Sequence, residues 1–439
     1  MASDSRLENR VNSYELNGIR PGTAAVLSDS HYRRVDSLLD TSAFFFILMV
    51  LMLNPIIGVL TPLSLIAFVP IYCVVRRYRL ISALSNSWPV FLLPGFALLS
   101  AVWSIEPSQS LRSGTLYLLT VLVGAILGAG IKLRDAMYAV FFAFYVFVIL
   151  SWLFGTLPTG TRAFMGLMAS KNAMGEVCGG LAIVGVCVLA DSITNKKPGR
   201  AFFALFSIPL GVGTLVLCEA TSNIVATAIA LLFATVCLVS MQITAQMRTF
   251  VVLLIVLVAI PVGLSSGFWF PLLFESFLEV SGKDADLTGR VYIWARADTL
   301  IAARPILGLG FDAFWRPGNL DAEAIWRAFG IGGKTGFRFH STYREITVNL
   351  GYTGLALFSA VALAGLLSLL VGVLRRPSAP LIFFAAMFIA SAIKMPFESI
   401  GFGSMQTFTV LAFASLTIGF KFAFSDFGGT SQARTRRVF

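Results

Sequence analysis

From residue 42 onward, long apolar runs alternate with short polar breaks. The runs fall near 42–60, 61–75, 88–103, 114–131, 136–155, 173–190, 200–218, 222–241, 249–267, 345–374, 380–395 and 404–423. A helix needs roughly 17–25 residues to cross the hydrocarbon core, so the pattern predicts about twelve transmembrane helices. Two runs are marginal: 61–75 is short and holds Pro62 and Pro70, and 380–395 ends at Lys394. The stretch 268–344 breaks the rhythm as the one long polar interval. Irregular backbone is not tolerated in lipid, so this interval must lie in water or against protein. The expected division is a polar tail at 1–40, nine spans over 41–267, a large loop with short helices at 268–344, three spans over 345–423 and a tail at 424–439. The fold class is an all-α polytopic membrane protein.

Composition agrees. The 439 residues are 57% hydrophobic and 13% charged, against about 25% charged in a soluble domain. The net charge of +11 does not point to nucleic acid, because the basic residues are scattered over loops with no basic stripe or interleaved aromatics. Cys73, Cys178, Cys187, Cys218 and Cys237 lie in or beside apolar runs without metal-ligand spacing. They read as small packing residues. No cleavable leader is visible ahead of the first run, which would act as its own insertion signal.

Alternate loops carry the positive charge: Arg76-Arg77-Tyr78-Arg79, Lys132 with Arg134, Lys196-Lys197 with Arg200, Arg248, Arg375-Arg376, and Arg434, Arg436 and Arg437. The positive-inside rule places these breaks and both termini in the cytoplasm and turns the 268–344 loop outward. Outward cations then need another cause, and an anionic substrate on that side is one.

The loop also carries the candidate chemistry. Thr288 would cap a helix from Gly289 to Ala303, with Val291, Trp294 and Ala295 on one face, ended by Arg304-Pro305. His340 is one of two histidines and lies just before a span. It is either the group that moves a proton near neutral pH or an ordinary loop histidine. Arg290, Arg296, Arg304, Arg338 and Arg344 surround it in sequence. Their forks suit phosphate oxygens, or they meet lipid headgroups, or they pair with Asp321 and Glu323. A second outward break holds Arg162 and Ser170-Lys171-Asn172. Glu176, Glu219, Lys394 and Glu398 fall at span ends, and Lys394 and Glu398, four apart, would pair on one helix face. There is no phosphate-binding glycine loop of the ATPase type, no His-Glu-x-x-His motif and no Cys/His metal box. Asp284-Ala285-Asp286 has the spacing of a metal-binding acidic pair, but it equally complements the start of a helix. No metal or other cofactor is expected.

Arg290-x-x-x-Trp294, Arg304-Pro305-x-x-Gly308-x-Gly310, His340-x-x-Tyr343 and Asn349-Leu350-Gly351-Tyr352-x-Gly354 together resemble the signature of the O-antigen ligase and Wzy-type polymerase superfamily. Arg162 to Asn172, with Gly175, resembles its outward Arg and Lys-Asn segment. Ser341 stands where the family has Asn, and Thr221-Ser222-Asn223 stands where members carry Ser-Arg or Ser-Lys. The resemblance implies a GT-C-like, metal-independent, inverting glycosyltransferase in the bacterial inner membrane with its site facing the periplasm. The donor would be an oligosaccharide on undecaprenyl diphosphate, and the acceptor a glycan or lipid A–core, with membrane lipids as surroundings and room for a partner that sets chain length. His340 would take the acceptor proton beside Arg290. Arg162, Lys171, Arg290, Arg304, Arg338 and Arg344 would hold the diphosphate, and Trp294 and Tyr343 the sugar. A polymerase of lipid-linked repeat units is the leading expectation and the ligase the second. A lipid-linked sugar flippase or an export scaffold is the rival from another class, and either would tolerate loss of His340.

Overall fold

The computed structural model describes residues 21–77, 80, 84–85, 87–155, 163–244, 246–248, 250, 289–333 and 337–435, with backbone alone at 21–34 and 425–435. Regular structure among the described residues is helical throughout. The principal helices are α1 Pro21–Met52, α2 Leu60–Val75, α3 Leu92–Leu99, α4 Pro107–Ala125, α5 Leu133–Phe154, α6 Lys171–Thr194 and α7 Pro198–Leu217. They continue with α8 Thr221–Ser240, α9 Arg290–Ala303, α10 Leu320–Ala328, α11 Thr342–Arg375, α12 Ala379–Lys394 and α13 Thr407–Thr435. Eight of the described helices are long and apolar enough to cross a membrane, and three shorter apolar helices cover 60–75, 88–102 and 379–394. Eleven of the expected apolar runs therefore fall on helices; the twelfth, 249–267, lies outside the described residues except for Phe250. Helical structure overshoots the apolar runs at both termini, since α1 begins at Pro21 and α13 reaches Thr435.

The described breaks sort to two ends of the bundle. At one end the basic residues meet carboxylates and helix carbonyls. Arg76 pairs with Asp36 and Asp40 at 2.7 and 3.0 Å, Arg134 with Asp191 at 3.0 Å, and Arg248 donates to the Leu374 carbonyl at 3.3 Å. At the other end, Trp103 Nε1 donates to the Leu307 carbonyl and Ile105 N to that of Leu309, both at 2.9 Å. Helices approach closely through small residues, as packing within a bilayer requires. A Cβ on Gly124 would lie 2.6 Å from the Val410 carbonyl. Cys178, Cys187 and Cys218 are buried and all five cysteines are free, in keeping with packing roles.

Residues 289–340 carry a small core of their own, built from Ile293, Ala297, Ile301, Phe314, Ile325, Trp326 and Phe339. The expected α9 follows Gly289, whose φ of +81° suits glycine, and stops at Arg304, where Pro305 cannot continue it. Its buried face is Ile293, Ala297 and Ile301 rather than Val291, Trp294 and Ala295. Periodicity located the helix, but only the aromatic cluster beneath it could fix which side turns inward. Val291 is exposed, and Trp294 is half-buried with Nε1 donating to the Phe339 carbonyl at 3.0 Å.

Residues 305–310 clasp a broken turn of α11. Gly351 leaves helical geometry with φ +67° and ψ −173°. The gap frees backbone groups on both sides, and the 305–310 segment satisfies them. Tyr352 N donates to the Pro305 carbonyl at 2.7 Å, while Leu309 N and Gly310 N donate to the carbonyls of Val348 and Asn349 at 2.9 Å each. Buried backbone groups must be paired, so the break and the segment require each other. A Cβ on Gly308 would lie 2.6 Å from the Asn349 carbonyl carbon, and one on Gly351 would collide with the Ile306 carbonyl. The two glycine motifs of the sequence are thus two halves of one clasp. It anchors the polypeptide on both sides of residues 311–348, the stretch that holds His340.

Candidate functional site

α12 ends at Lys394, and the chain turns through Met395-Pro396 before reaching Glu398. The expected Lys394–Glu398 pair on one helix face therefore does not form, because Glu398 has left the helix. Lys394 is almost fully buried and binds Glu176 at 2.9 Å and Asn223 Oδ1 at 3.0 Å. A buried ammonium needs such partners. Glu398 instead becomes the hub of the loop end. Its Oε1 accepts from Arg290 Nη2 at 2.6 Å and from Asn172 Nδ2 at 2.7 Å, and its Oε2 lies 3.3 Å from His340 Nδ1. Asn223 Nδ2 donates to the Asn172 carbonyl at 2.9 Å and so links the two clusters.

Backbone bonds hold this arrangement. Thr342 N donates to the Met395 carbonyl at 2.8 Å, and its hydroxyl donates to the Glu398 carbonyl at 2.8 Å and accepts from Ile400 N at 2.8 Å. The 395–400 turn is thereby stitched to the residues directly after His340. His340 itself has φ +50°, a left-handed conformation that costs a β-carbon residue on the order of 1–2 kcal/mol. The neighbours fix it: Phe339 N donates to Glu345 Oε2 at 2.9 Å, and the Phe339 carbonyl takes the Trp294 indole. Strain held this firmly at a half-exposed histidine points to a task for the ring.

Burial opposes ionisation of Glu398, but the His340 hydrogen bond and the Arg290 guanidinium outweigh it and hold the carboxyl below its usual range. Burial likewise works against charge on Arg338, yet Asp312 at 2.6 Å and Glu345 at 3.3 Å push its pKa up. With Glu398 accepting at Nδ1, the neutral imidazole carries its proton there and leaves the Nε2 lone pair free. A carboxylate-oriented histidine beside a guanidinium can remove a proton from a hydroxyl while the cation stabilises departing negative charge.

The structure brings Arg290, Arg338 and His340 to one place, with Lys171 adjacent to Asn172 at the start of α6. Arg344 lies over the Trp294 ring at 4.7 Å and pairs with Asp298 at 3.0 Å, so a guanidinium already covers one face of the expected sugar platform. Tyr343 is exposed at the start of α11. Arg304 is not brought in: fourteen residues of helix separate it from Arg290, about 21 Å at 1.5 Å per residue. Arg296 pairs with Asp321, one of the carboxylates foreseen for it. Arg162, Asp284, Asp286 and Thr288 lie outside the described residues. Asp312 and Glu345 escaped the sequence reading, and Asn349 entered it only as a letter of the motif. Their signal is polarity just before and inside an apolar run, which a span-by-span reading assigns to the membrane boundary.

Residues 202–359 match a family model described as O-antigen ligase, a stretch that runs from α7 through α9, His340 and both halves of the clasp. That part of the chain is similar to the O-antigen ligase family. Over 350 residues the chain is also 29% identical to the exopolysaccharide production protein ExoQ of Rhizobium meliloti (strain 1021), covering 75% of this chain and 78% of that one. These similarities, with the eight long apolar helices, indicate a multi-pass membrane protein and a polysaccharide ligase or polymerase of glycosyltransferase type. Glu398 lies beyond the matched stretch, so the matched segment supplies the histidine and Arg290 while the turn after α12 supplies the carboxylate between them.

Proposed function

We propose that this protein polymerises lipid-diphosphate-linked repeat units of a cell-surface polysaccharide, acting as a metal-independent, inverting glycosyltransferase at the periplasmic face of the inner membrane. The observation that carries the reading is Glu398 held between His340 and Arg290. Nε2 of His340 takes the proton of an acceptor hydroxyl as its oxygen attacks the anomeric carbon, and the bond from that carbon to the diphosphate oxygen breaks. The undecaprenyl diphosphate leaves with the electron pair. An arginine has five N–H donors, and Glu398 engages one nitrogen of Arg290, so others are available to the departing phosphate. Lys171, Arg162 and Arg344 are the further cations assigned to the donor, whereas Arg338 is occupied by Asp312 and Glu345. Arg344 must then exchange or share its carboxylate partner, while Lys171, half-exposed, is available without exchange. Arg304, at the far end of α9, serves the fold rather than the donor. The resemblance to an exopolysaccharide production protein favours polymerisation. The family description favours ligation to lipid A–core as the second reading.

Purified protein given undecaprenyl-diphosphate-linked repeat units is expected to build a ladder of longer glycans without nucleotide. A single transfer to lipid A–core with no ladder would establish the ligase instead. Normal cell-surface glycan in a strain carrying His340→Ala would refute both and favour a flippase or scaffold.

A further inference from the structure

A cavity of about 260 Å³ opens beside His340 between the end of α1, the start of α6 and the 398–408 turn. Its polar lining includes Asn172, Glu176, Glu398, Ser399 and Gln406; its apolar lining includes Met52, Pro55, Met405 and Phe408. We propose that this cavity is the acceptor-sugar subsite and that the donor diphosphate binds outside it. The inference rests on the transferase reading above and assigns one side of its site.

Charge carries the argument. Arg338 is the one guanidinium or ammonium group among the described lining residues, and it faces two carboxylates, Asp312 and Glu345. Glu176 is matched by Lys394, and Glu398 by Arg290. Among the described lining residues there is therefore no cation in excess, and a diphosphate held by them would lack the paired charge that a desolvated anion needs. A saccharide matches the lining: carboxylates and amide oxygens accept from hydroxyls, amide N–H groups donate, and the C–H faces of a pyranose rest on Met and Phe. A second observation agrees. Ser399 Oγ is buried at the cavity wall and has no hydrogen-bond partner among the described residues. Buried hydroxyls are nearly always paired, so an unpaired one beside a cavity marks a position where a ligand hydroxyl completes the bond. Ligand sites commonly run from about 300 to 1,000 Å³, so this one suits one or two sugar rings rather than a longer chain. His340 on its rim would then meet the attacking hydroxyl from the cavity side.

The test uses the full-length protein, the lipid-linked repeat unit as donor and a lipid-free repeat-unit oligosaccharide as acceptor. Binding of undecaprenyl diphosphate alone is measured in parallel. Ser399→Ala and Gln406→Ala, checked for unchanged thermal midpoints, are each expected to raise KM for the acceptor about tenfold, the loss of one hydrogen bond to ligand. Their affinity for undecaprenyl diphosphate should stay within about twofold of wild type. Weakened diphosphate binding with an unchanged acceptor KM would overturn the assignment and give the cavity to the donor, and no change in either quantity would also overturn it. Failure of the wild-type protein to transfer at all would sink the transferase reading and this inference together, an outcome visible before any variant is compared.

Discussion

Replacing Glu398 by glutamine keeps the side chain's shape and removes its charge, so it isolates what the carboxylate does for His340. The carboxylate accepts at both ends, from Arg290 and Asn172 on Oε1 and from the imidazole on Oε2. A glutamine satisfies the first two with its carbonyl oxygen, which places its NH₂ against His340 Nδ1. Two donors cannot face each other, so Nδ1 becomes the acceptor and the ring proton moves to Nε2. The lone pair that would take the acceptor's proton is then gone. A positioned general base contributes about 10²- to 10⁴-fold, or about 2.7–5.4 kcal/mol at 1.36 kcal/mol per tenfold. Glu398→Gln should lower kcat by that range and leave the affinity for undecaprenyl diphosphate near wild type. Glu398→Ala should cost stability as well, because it leaves Arg290 largely buried without its partner. The usual cost of breaking such a pair is about 3–5 kcal/mol, reduced here by the 18% exposure of the Arg290 side chain. The assay is single-turnover glycan extension by purified protein, with His340→Ala and the double variant alongside. Residues that act as a unit are not additive, so the double variant should be no slower than His340→Ala alone. A Glu398→Gln enzyme within threefold of wild type, or full additivity in the double variant, would refute the reasoning.

Gly351→Val should prevent stable folding, since it sets a β-branched residue at φ +67° against the Ile306 carbonyl; yield and thermal midpoint in detergent report it. Arg338→Ala should destabilise by about 2–4 kcal/mol, because Asp312 and Glu345 are left facing each other, and Arg338→Lys should recover only part of that loss in a thermal melt. The folded pKa of Glu398 is depressed, so its contribution to stability is full above the unfolded glutamate value of about 4.3 and disappears as pH falls through the folded value. The difference in thermal midpoint between wild type and Glu398→Gln should therefore shrink only below that pH. Glycan extension should be unaffected by a chelator; loss of activity that manganese restores would return Asp284 and Asp286 to consideration.

The membrane-spanning layout was legible because lipid imposes a coarse rule on composition, and the apolar runs that lie within the described residues each fall on a helix. His340 and Arg290 were legible as residue types in a polar interval. Their common carboxylate was visible only as an ionisable residue four positions after Lys394, where helical spacing assigned it the wrong partner. The physical reason is that α12 stops at Lys394, and Met395-Pro396 does not reveal how far the chain turns afterwards. The motif glycines had another hidden meaning. As a string they resemble a signature, and only the backbone bonds between 305–310 and 348–353 explain why both halves are needed. Trp294, given a sugar-binding role by the resemblance, also donates its indole N–H to the backbone just before the histidine, a contact that its place in the sequence did not reveal.

Because the clasp closes at residues 305–310 and 348–353, the segment between its jaws leaves and re-enters the bundle at fixed points, while Phe314 and Phe339 pack on α9 and Thr342 binds the 395–400 turn. The segment is therefore exchangeable only together with those partners. Grafting residues 289–347 along with the 395–400 turn between two polymerases that make different products offers a route to hybrid enzymes. The cost of a mismatched graft should register first in the angle at which the histidine is presented, long before the bundle itself comes apart.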